Sequence, residues 1–477
     1  MSIADSEFSR NFNGLYDPDL RRRSSVGVVI GIFLLLILLP IGVNIGPLYL
    51  SGTRLFLIVV IIPLAVNLIR GRYGPFIATD VLFALHFIWM SLALGVNNPD
   101  QAVQNAGATG ADFLGSYLLG RACIRTRDDF LTLIRAIVAL IIICLPFAVI
   151  EAVTGISPLI EMAGRIPFVS APLDLSIDRR LGLERVQMGF EHPIHWGVFC
   201  SVGTAICLVG LQATLTFFSR VLLTVLICLS ALLALSSGAI LSVAVQIGLI
   251  LWAAVFRSNP KRWLILLVVM TLCYGAVDLL SNRTPLRVFM SYATFSADSA
   301  YWRATIFEWG MVNVWAQPMW GLGLNDWVRP IWMHTASIDN FWLLSAMRYG
   351  IPGFAFLAGG YGYAVWRIGM RSLREDDALW PLRRAWVFCF VGLTLALATV
   401  HVWGTLHALV FFLFGSGMWL FPHKVAAVRQ PKIWYVPERR LPKFSRANPV
   451  QYTQSLSVDY AGAEGHEMPA RPGTLSS

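Results

Sequence analysis

Apolar runs near 20 residues long recur along this chain, each closed by a polar or Gly/Pro-containing break. Twelve such runs fall at 26–46, 54–69, 79–95, 103–120, 130–150, 193–212, 221–237, 239–256, 263–280, 344–366, 385–402 and 405–421. Each is long enough, as a helix, to cross a hydrocarbon core of about 30 Å. The run at 103–120 is the most polar, because Gln101 to Asp112 is polar and Gly-rich. The runs 221–237 and 239–256 are split only by Ser236-Ser237-Gly238, which reads as a tight outward turn. Two connections are far longer than the rest, Glu151–His192 and Ser281–Asn340. Loops of that length are functional or disordered, and these two are too apolar and aromatic for disorder. The pattern predicts an all-α polytopic membrane protein with about 12 transmembrane helices, a large helical loop late in the chain and no internal repeat.

Composition fits that architecture. Of 477 residues, 56% are hydrophobic and only 13% charged, against about 25% charged in an ordinary soluble domain. The division expected is a short N-terminal segment at 1–24, one membrane domain at 25–421 and a basic tail at 422–477. The tail turns Ser-, Gly-, Ala- and Pro-rich from about Ala447 and reads as largely disordered.

The net charge of +10 is a topology signal here, and it calls for no nucleic acid. All four lysines, Lys261, Lys424, Lys432 and Lys443, fall on one side of the proposed map, with Arg70, Arg72, Arg121, Arg257, Arg371 and Arg383. By the positive-inside rule that side is cytoplasmic, so both termini are cytoplasmic and the loops 151–192 and 281–340 face outward. The first apolar run follows Arg21-Arg22-Arg23 and is long enough to remain as a span rather than a cleaved signal. The seven cysteines all lie in or beside spans, which predicts no disulfide, and no metal-ligand spacing occurs.

The candidate chemistry sits in the two long loops. The second gathers Arg283, Arg287, Arg303 and Arg329 among Trp302, Trp309, Trp315, Trp320, Trp327 and Trp332, and contains no lysine. Guanidinium groups grip phosphate in a fork, and aromatic rings stack on sugars. The bland alternative for the tryptophans is an interfacial belt. Tyr301 to Trp309 reads as a short amphipathic helix, with Glu308 near enough to hold the Arg303 guanidinium. Pro318-Met-Trp-Gly321-Leu-Gly323 breaks it and reads as a turn, since no strand precedes the glycines. The loop ends in His334, Asp339 and Asn340, with Arg348 just inside the next span. Asp339 either acts on substrate or pairs structurally with Arg348 or Asn340. The first loop carries Arg179, Arg180, Glu184, Arg185, Glu191 and His192. Its arginines bind an anionic ligand, or else pair with Asp178, Glu184 and Glu191 or with lipid headgroups.

Taken in order, these motifs resemble the O-antigen ligase / Wzy-type polysaccharide polymerase superfamily. The matching residues are Arg303 in a loop helix, Pro318 to Gly323, Asn340, and a span opening with Gly350 to Gly353. Upstream, Arg185-x-x-x-Gly189-Phe-x-His-Pro193 and Tyr117-Leu-Leu-Gly-Arg121 are similar to earlier motifs of the family. The resemblance covers roughly residues 25–421. It implies a C-type membrane glycosyltransferase architecture in the bacterial inner membrane, and metal-independent transfer of glycan from an undecaprenyl-diphosphate carrier to an acceptor hydroxyl. It needs no cofactor. Carried over, Arg185 and Arg303 would clamp the diphosphate, with Arg180, Glu308, His192, Asn340 and Arg348 in support.

This chain departs from the ligases of the family, which have His directly before that Asn; here Asp339 stands there, and His334 lies five residues upstream. A carboxylate still orients or deprotonates a hydroxyl. The change leans the reading toward a polymerase of exopolysaccharide or O-antigen repeats. The alternatives are a ligase acting on lipid A-core or another acceptor, and, from another class, a lipid-linked glycan flippase. A flippase would show related halves with charges at mid-span. Expected partners are the lipid-linked glycan, membrane lipids, and a chain-length regulator and flippase of the same pathway.

The absence of any His, Cys, Asp and Glu spacing suited to a divalent ion generates a first prediction: EDTA should leave transfer intact. Loss of activity with chelator, restored by Mg²⁺ or Mn²⁺, would refute it.

Overall fold

The computed structural model describes residues 18–45, 48–172, 179–282, 284–285, 287–288, 297–333, 335–374 and 377–421. Asp178, Arg283, His334 and the tail 422–477 lie outside these described residues. The chain divides into two units, Met1–His423 and Lys424–Ser477, and every described residue belongs to the first.

Each of the twelve apolar runs overlaps helix over at least part of its length. In chain order, α1 is Pro18–Leu38, α2 Gly52–Ile69, α3 Ala78–Asn97, α4 Pro99–Gly110, α5 Ser116–Cys123, α6 Arg127–Thr154, α7 Pro158–Gly164 and α8 Pro193–Ala205. They continue with α9 Phe217–Leu233, α10 Ser237–Val255, α11 Arg262–Leu280, α12 Ala297–Ala316, α13 Phe341–Gly369, α14 Trp380–Leu397 and α15 Gly404–Gly415. Local chemistry sets many of the starts. Side-chain oxygens of Ser51, Thr126, Thr216 and Asn340 accept from the first-turn N–H groups of α2, α6, α9 and α13. Proline opens α4, α7, α8 and α14, where its missing N–H costs nothing.

By length and composition, eight helices among the described residues are able to cross a membrane. Three shorter apolar helices, Ser25–Leu38, α9 and Gly404–Leu420, accompany them. The polar run near 103–120 is in neither group; it is helical from 99 to 123, with a π-helical turn at Ala111–Gly115 joining α4 to α5. The run expected at 26–46 ends sooner than its hydropathy suggests. Helix α1 stops at Leu38, and Gly42–Ile45 pairs antiparallel with Leu48–Ser51, Gly42 opposite Ser51. Pro40 and Gly42 disfavour helix there, while Val43 and Ile45 suit a strand.

Helix α13 packs along α3, α10 lies against α8 and α14, and α15 against α5. The core they enclose contains Trp196, Trp386 and Tyr117, all fully buried. Within it, Arg121 pairs with Asp80 at 3.0 Å, and the Tyr117 hydroxyl donates to the same carboxylate at 2.6 Å. Helix α11 differs: none of its residues is buried within the chain.

The long loop is fixed to the bundle through a break in α13. At Gly350 the backbone leaves helical geometry, with φ 70° and ψ 178°. Pro352 cannot donate to the carbonyl of residue 348, so the turn around it has free acceptors. Loop N–H groups take them: Leu322 donates to Met347 O at 2.7 Å, and Gly323 to Arg348 O at 2.9 Å. In return Ile351 donates to Pro318 O at 2.7 Å. From α3, the Trp89 indole donates to Tyr349 O at 3.0 Å, while Trp89 stacks on Trp320 at 4.8 Å. The Pro318–Gly323 turn and the Gly350–Gly353 opening, separate motifs in sequence, are thus one hydrogen-bonded joint.

A Cβ on Gly350 would lie 2.2 Å from Met319 O, at a φ that side chains resist. Gly350→Ala should therefore destabilise the protein by about 2 kcal/mol or more. Gly362→Ala, with open space at the Cβ position, should melt like wild type in detergent. Equal melting temperatures for the two variants would show that the joint is dispensable.

Candidate active site

The turn between α9 and α10 is where the arginines converge. Leu235 adopts a left-handed conformation (φ 46°) in this turn, and the carbonyls of Ala234 and Leu235 and the hydroxyl of Ser237 take partners from outside it. Arg185 Nε donates to Ala234 O at 3.3 Å, and Arg180 Nη1 to Leu235 O at 2.8 Å. Arg303, arriving on α12 from the other loop, donates to Ser237 Oγ at 2.9 Å. Both loops therefore meet over one short turn of the membrane bundle.

Above that turn is a cavity of about 400 Å³, lined by Arg180, Arg185, His192, Ser237, Trp302, Arg303, Thr335, Ser337 and Asp339 among others. The expected convergence of Arg185 and Arg303 on a single cavity is what the geometry gives. Three guanidinium groups face one carboxylate there. Burial pulls Arg185 down to about 10, aided by Arg180 and Arg303 and opposed by Asp339. Arg303 is lowered too, by burial first, with Asp339 working against it. At neutral pH Arg185 stays charged even so. The anchors of Arg185 and Arg303 are a carbonyl and a hydroxyl, so their charge is left for a ligand.

His192 caps α8, its Nδ1 accepting from Ile194 N at 3.1 Å. The ring proton then resides on Nε2, so His192 offers the cavity a donor, not a base. Burial, then His195, Arg185 and Arg180, lower its pKa to about 3 and keep the ring neutral. Asp339 accepts from Ser337 Oγ at 3.2 Å and is half-buried at the cavity wall.

Several sequence expectations are corrected. Glu308 does not hold Arg303; it pairs with Arg287 at 2.6 Å, because residues five apart on a helix lie about 140° apart around its axis and do not face each other. Asp339 makes no ion pair with Arg348, which lines other cavities. Asn340 does not enter the site, since its Oδ1 caps α13 by accepting from Leu343 N at 2.9 Å. Of the first-loop carboxylates, Glu184 holds Arg179 at 2.5 Å. Glu191 accepts from Thr405 N and Oγ1 at 3.4 and 3.3 Å and contacts His195, which ties the loop to α15. Among the described residues, no group of three His, Cys, Asp and Glu side chains is placed to hold a metal ion.

The tryptophans divide by environment. Trp302 lines the cavity and Trp327 is buried, while Trp315 is exposed. Sequence reasoning missed Ser237. Its signal was there, two serines in a turn too short to be mere linker.

Residues 222–358 match the family model for O-antigen ligase. That stretch runs from α9 to the middle of α13, and contains Ser237, Arg303 and Asp339 but not Arg180, Arg185 or His192. The resemblance to the O-antigen ligase / Wzy-type superfamily is thereby shown. It supports a multi-pass membrane protein with a function of the ligase or polymerase type. No curated protein matches the chain significantly.

A cavity of three arginines should hold inorganic diphosphate. Arg303→Ala should weaken that binding by about 10-fold or more, the worth of a charge-assisted contact. Glu308→Gln should leave it unchanged, because Glu308 serves Arg287. Equilibrium dialysis with labelled diphosphate decides; equal loss in both variants would contradict the geometry.

Proposed function

We propose that this protein is a membrane glycosyltransferase that polymerises undecaprenyl-diphosphate-linked oligosaccharide repeats at the periplasmic face of the bacterial inner membrane. The reading takes twelve crossings with both termini cytoplasmic. It is carried by one observation: two loops bring Arg180, Arg185 and Arg303 to a cavity where Asp339 is the one carboxylate among the described residues, in a chain with an O-antigen ligase match.

The chemistry follows from charge. An acceptor hydroxyl attacks the anomeric carbon while the bond to the diphosphate oxygen breaks. Asp339 takes the hydroxyl proton, and the leaving diphosphate gains one negative charge. Arg185 and Arg303, desolvated and held in place, stabilise that charge most as it develops. His192 donates from Nε2 to a diphosphate oxygen, and Trp302 offers a face to the adjoining sugar. His334 is the reserve candidate for the base. A chain-length regulator and a flippase of the same pathway are the natural partners of such an enzyme.

A second reading, ligation of finished glycan to lipid A-core or another acceptor, is favoured by the family description itself. The same cavity serves both reactions, and a deletion strain separates them. Loss of a polymerase should leave single repeats on the lipid carrier. Loss of a ligase should leave full-length chains there. Complementation with Asp339→Asn, made at wild-type level, should restore nothing, since an amide accepts no proton. A fully active Asp339→Asn protein would remove Asp339 from the mechanism.

A further inference from the structure

Two more cavities adjoin the arginine cavity. The bridging cavity, about 300 Å³, shares Ser337 with it. The inner cavity, about 370 Å³, lies among α2, α3, α13 and α15 and shares Leu344, Arg348 and His401 with the bridging one. Glu191 lines the inner cavity while the next residue, His192, lines the arginine cavity.

The chemistry of the inner cavity differs from that of its neighbour. Its charged lining is balanced: Arg54 and Arg348 against Asp112 and Glu191. Arg54 and Asp112 are paired, at 2.6 Å from Nη2 to Oδ2. A balanced lining does not select an anion. Its walls also present the aromatic rings of Phe341, Tyr349 and Trp403. Two polar atoms there are buried and without a hydrogen-bond partner, Ser345 Oγ and His401 Nδ1. Leaving a buried polar atom without a partner is costly. An isoprenoid chain would satisfy none of them. A ligand rich in hydroxyls, with an apolar ring face, suits this polar and aromatic lining. Charged groups at membrane depth are also retained for use.

We infer that the bridging and inner cavities bind the acceptor saccharide, held where the two meet by Arg348 and His401, with its reacting hydroxyl led past Ser337 to Asp339. This rests on the glycosyl-transfer reading above. It gives Arg348 and His401 the role of specificity-determining contacts.

The test uses full-length protein in nanodiscs and two probes. One is undecaprenyl diphosphate without glycan. The other is a set of methyl glycosides (a hexose, an N-acetylhexosamine and a hexuronic acid) followed by saturation-transfer NMR. Wild type should bind the carrier and give saturation transfer to at least one glycoside. Ser345→Met, which fills the inner cavity, and His401→Gln, which alters its rim, should each cut the glycoside signal at least fivefold while carrier affinity stays within twofold. Arg303→Ala should do the reverse. Two independent positions keep the test sound if one variant is not inserted. Absence of any glycoside signal from wild type, or an unchanged signal in the inserted variants, would overturn the inference. So would loss of carrier binding in Ser345→Met as large as in Arg303→Ala, which would hand the inner cavity to the isoprenoid. Failure of the carrier to bind wild type, with the glycoside result intact, would count against the glycosyl-transfer reading instead.

Discussion

The break in α13 at Gly350–Pro352 is the constraint on which the site depends. A continuous helix would have consumed its own carbonyls and left the long loop without a footing on the membrane domain. The break frees the carbonyls at 347–349, and the N–H groups of Leu322 and Gly323 and the Trp89 indole take them. One irregular turn thereby joins loop, α13 and α3. Helix α12 runs directly into that joint, so the placement of Arg303 is inherited from it.

The arginines illustrate a second economy of design. A carboxylate would orient a guanidinium well, but it would also neutralise it. The α9–α10 turn orients Arg185 and Arg303 with a carbonyl and a hydroxyl instead. Carboxylates close by are occupied elsewhere, Glu184 with Arg179, Glu308 with Arg287 and Glu191 with Thr405. Preorganised positive charge in a partly buried cavity acts more strongly than it would in water.

Much of this was legible in the sequence, for physical reasons that differ by level. Helical segments were legible because apolar runs at membrane length have few alternatives. The hairpin at 42–51 was not, since hydropathy does not register a Pro-Gly break inside an apolar stretch. Arg185 and Arg303 were singled out as a pair by the family resemblance, and their shared cavity was expected because both arginine-bearing loops fall on one side of the bundle. Glu308 was misread because nearness in sequence is not nearness in space; five residues of helix put it and Arg303 on different faces. The role of Asn340 as a cap follows from a local pattern, an Asn directly before an apolar helix, whereas the meeting of Arg348 with His401 depends on tertiary placement that no local pattern encodes. The inner cavity was invisible for the same reason: its lining comes from positions as distant as Arg54 and His407.

Anchoring by neutral groups has a kinetic side. Under the proposed reaction, the cavity that receives a diphosphate ester must also let go of a free diphosphate, which carries one more charge than the group that arrived. Arginines kept fully charged hold the spent carrier more tightly than the fresh one. Chemistry is then followed by departure of the spent carrier, which the same arginines oppose, and each arriving carrier competes with it for the same seat. Under that reaction, the charge that favours transfer is also the charge that must be overcome to empty the cavity.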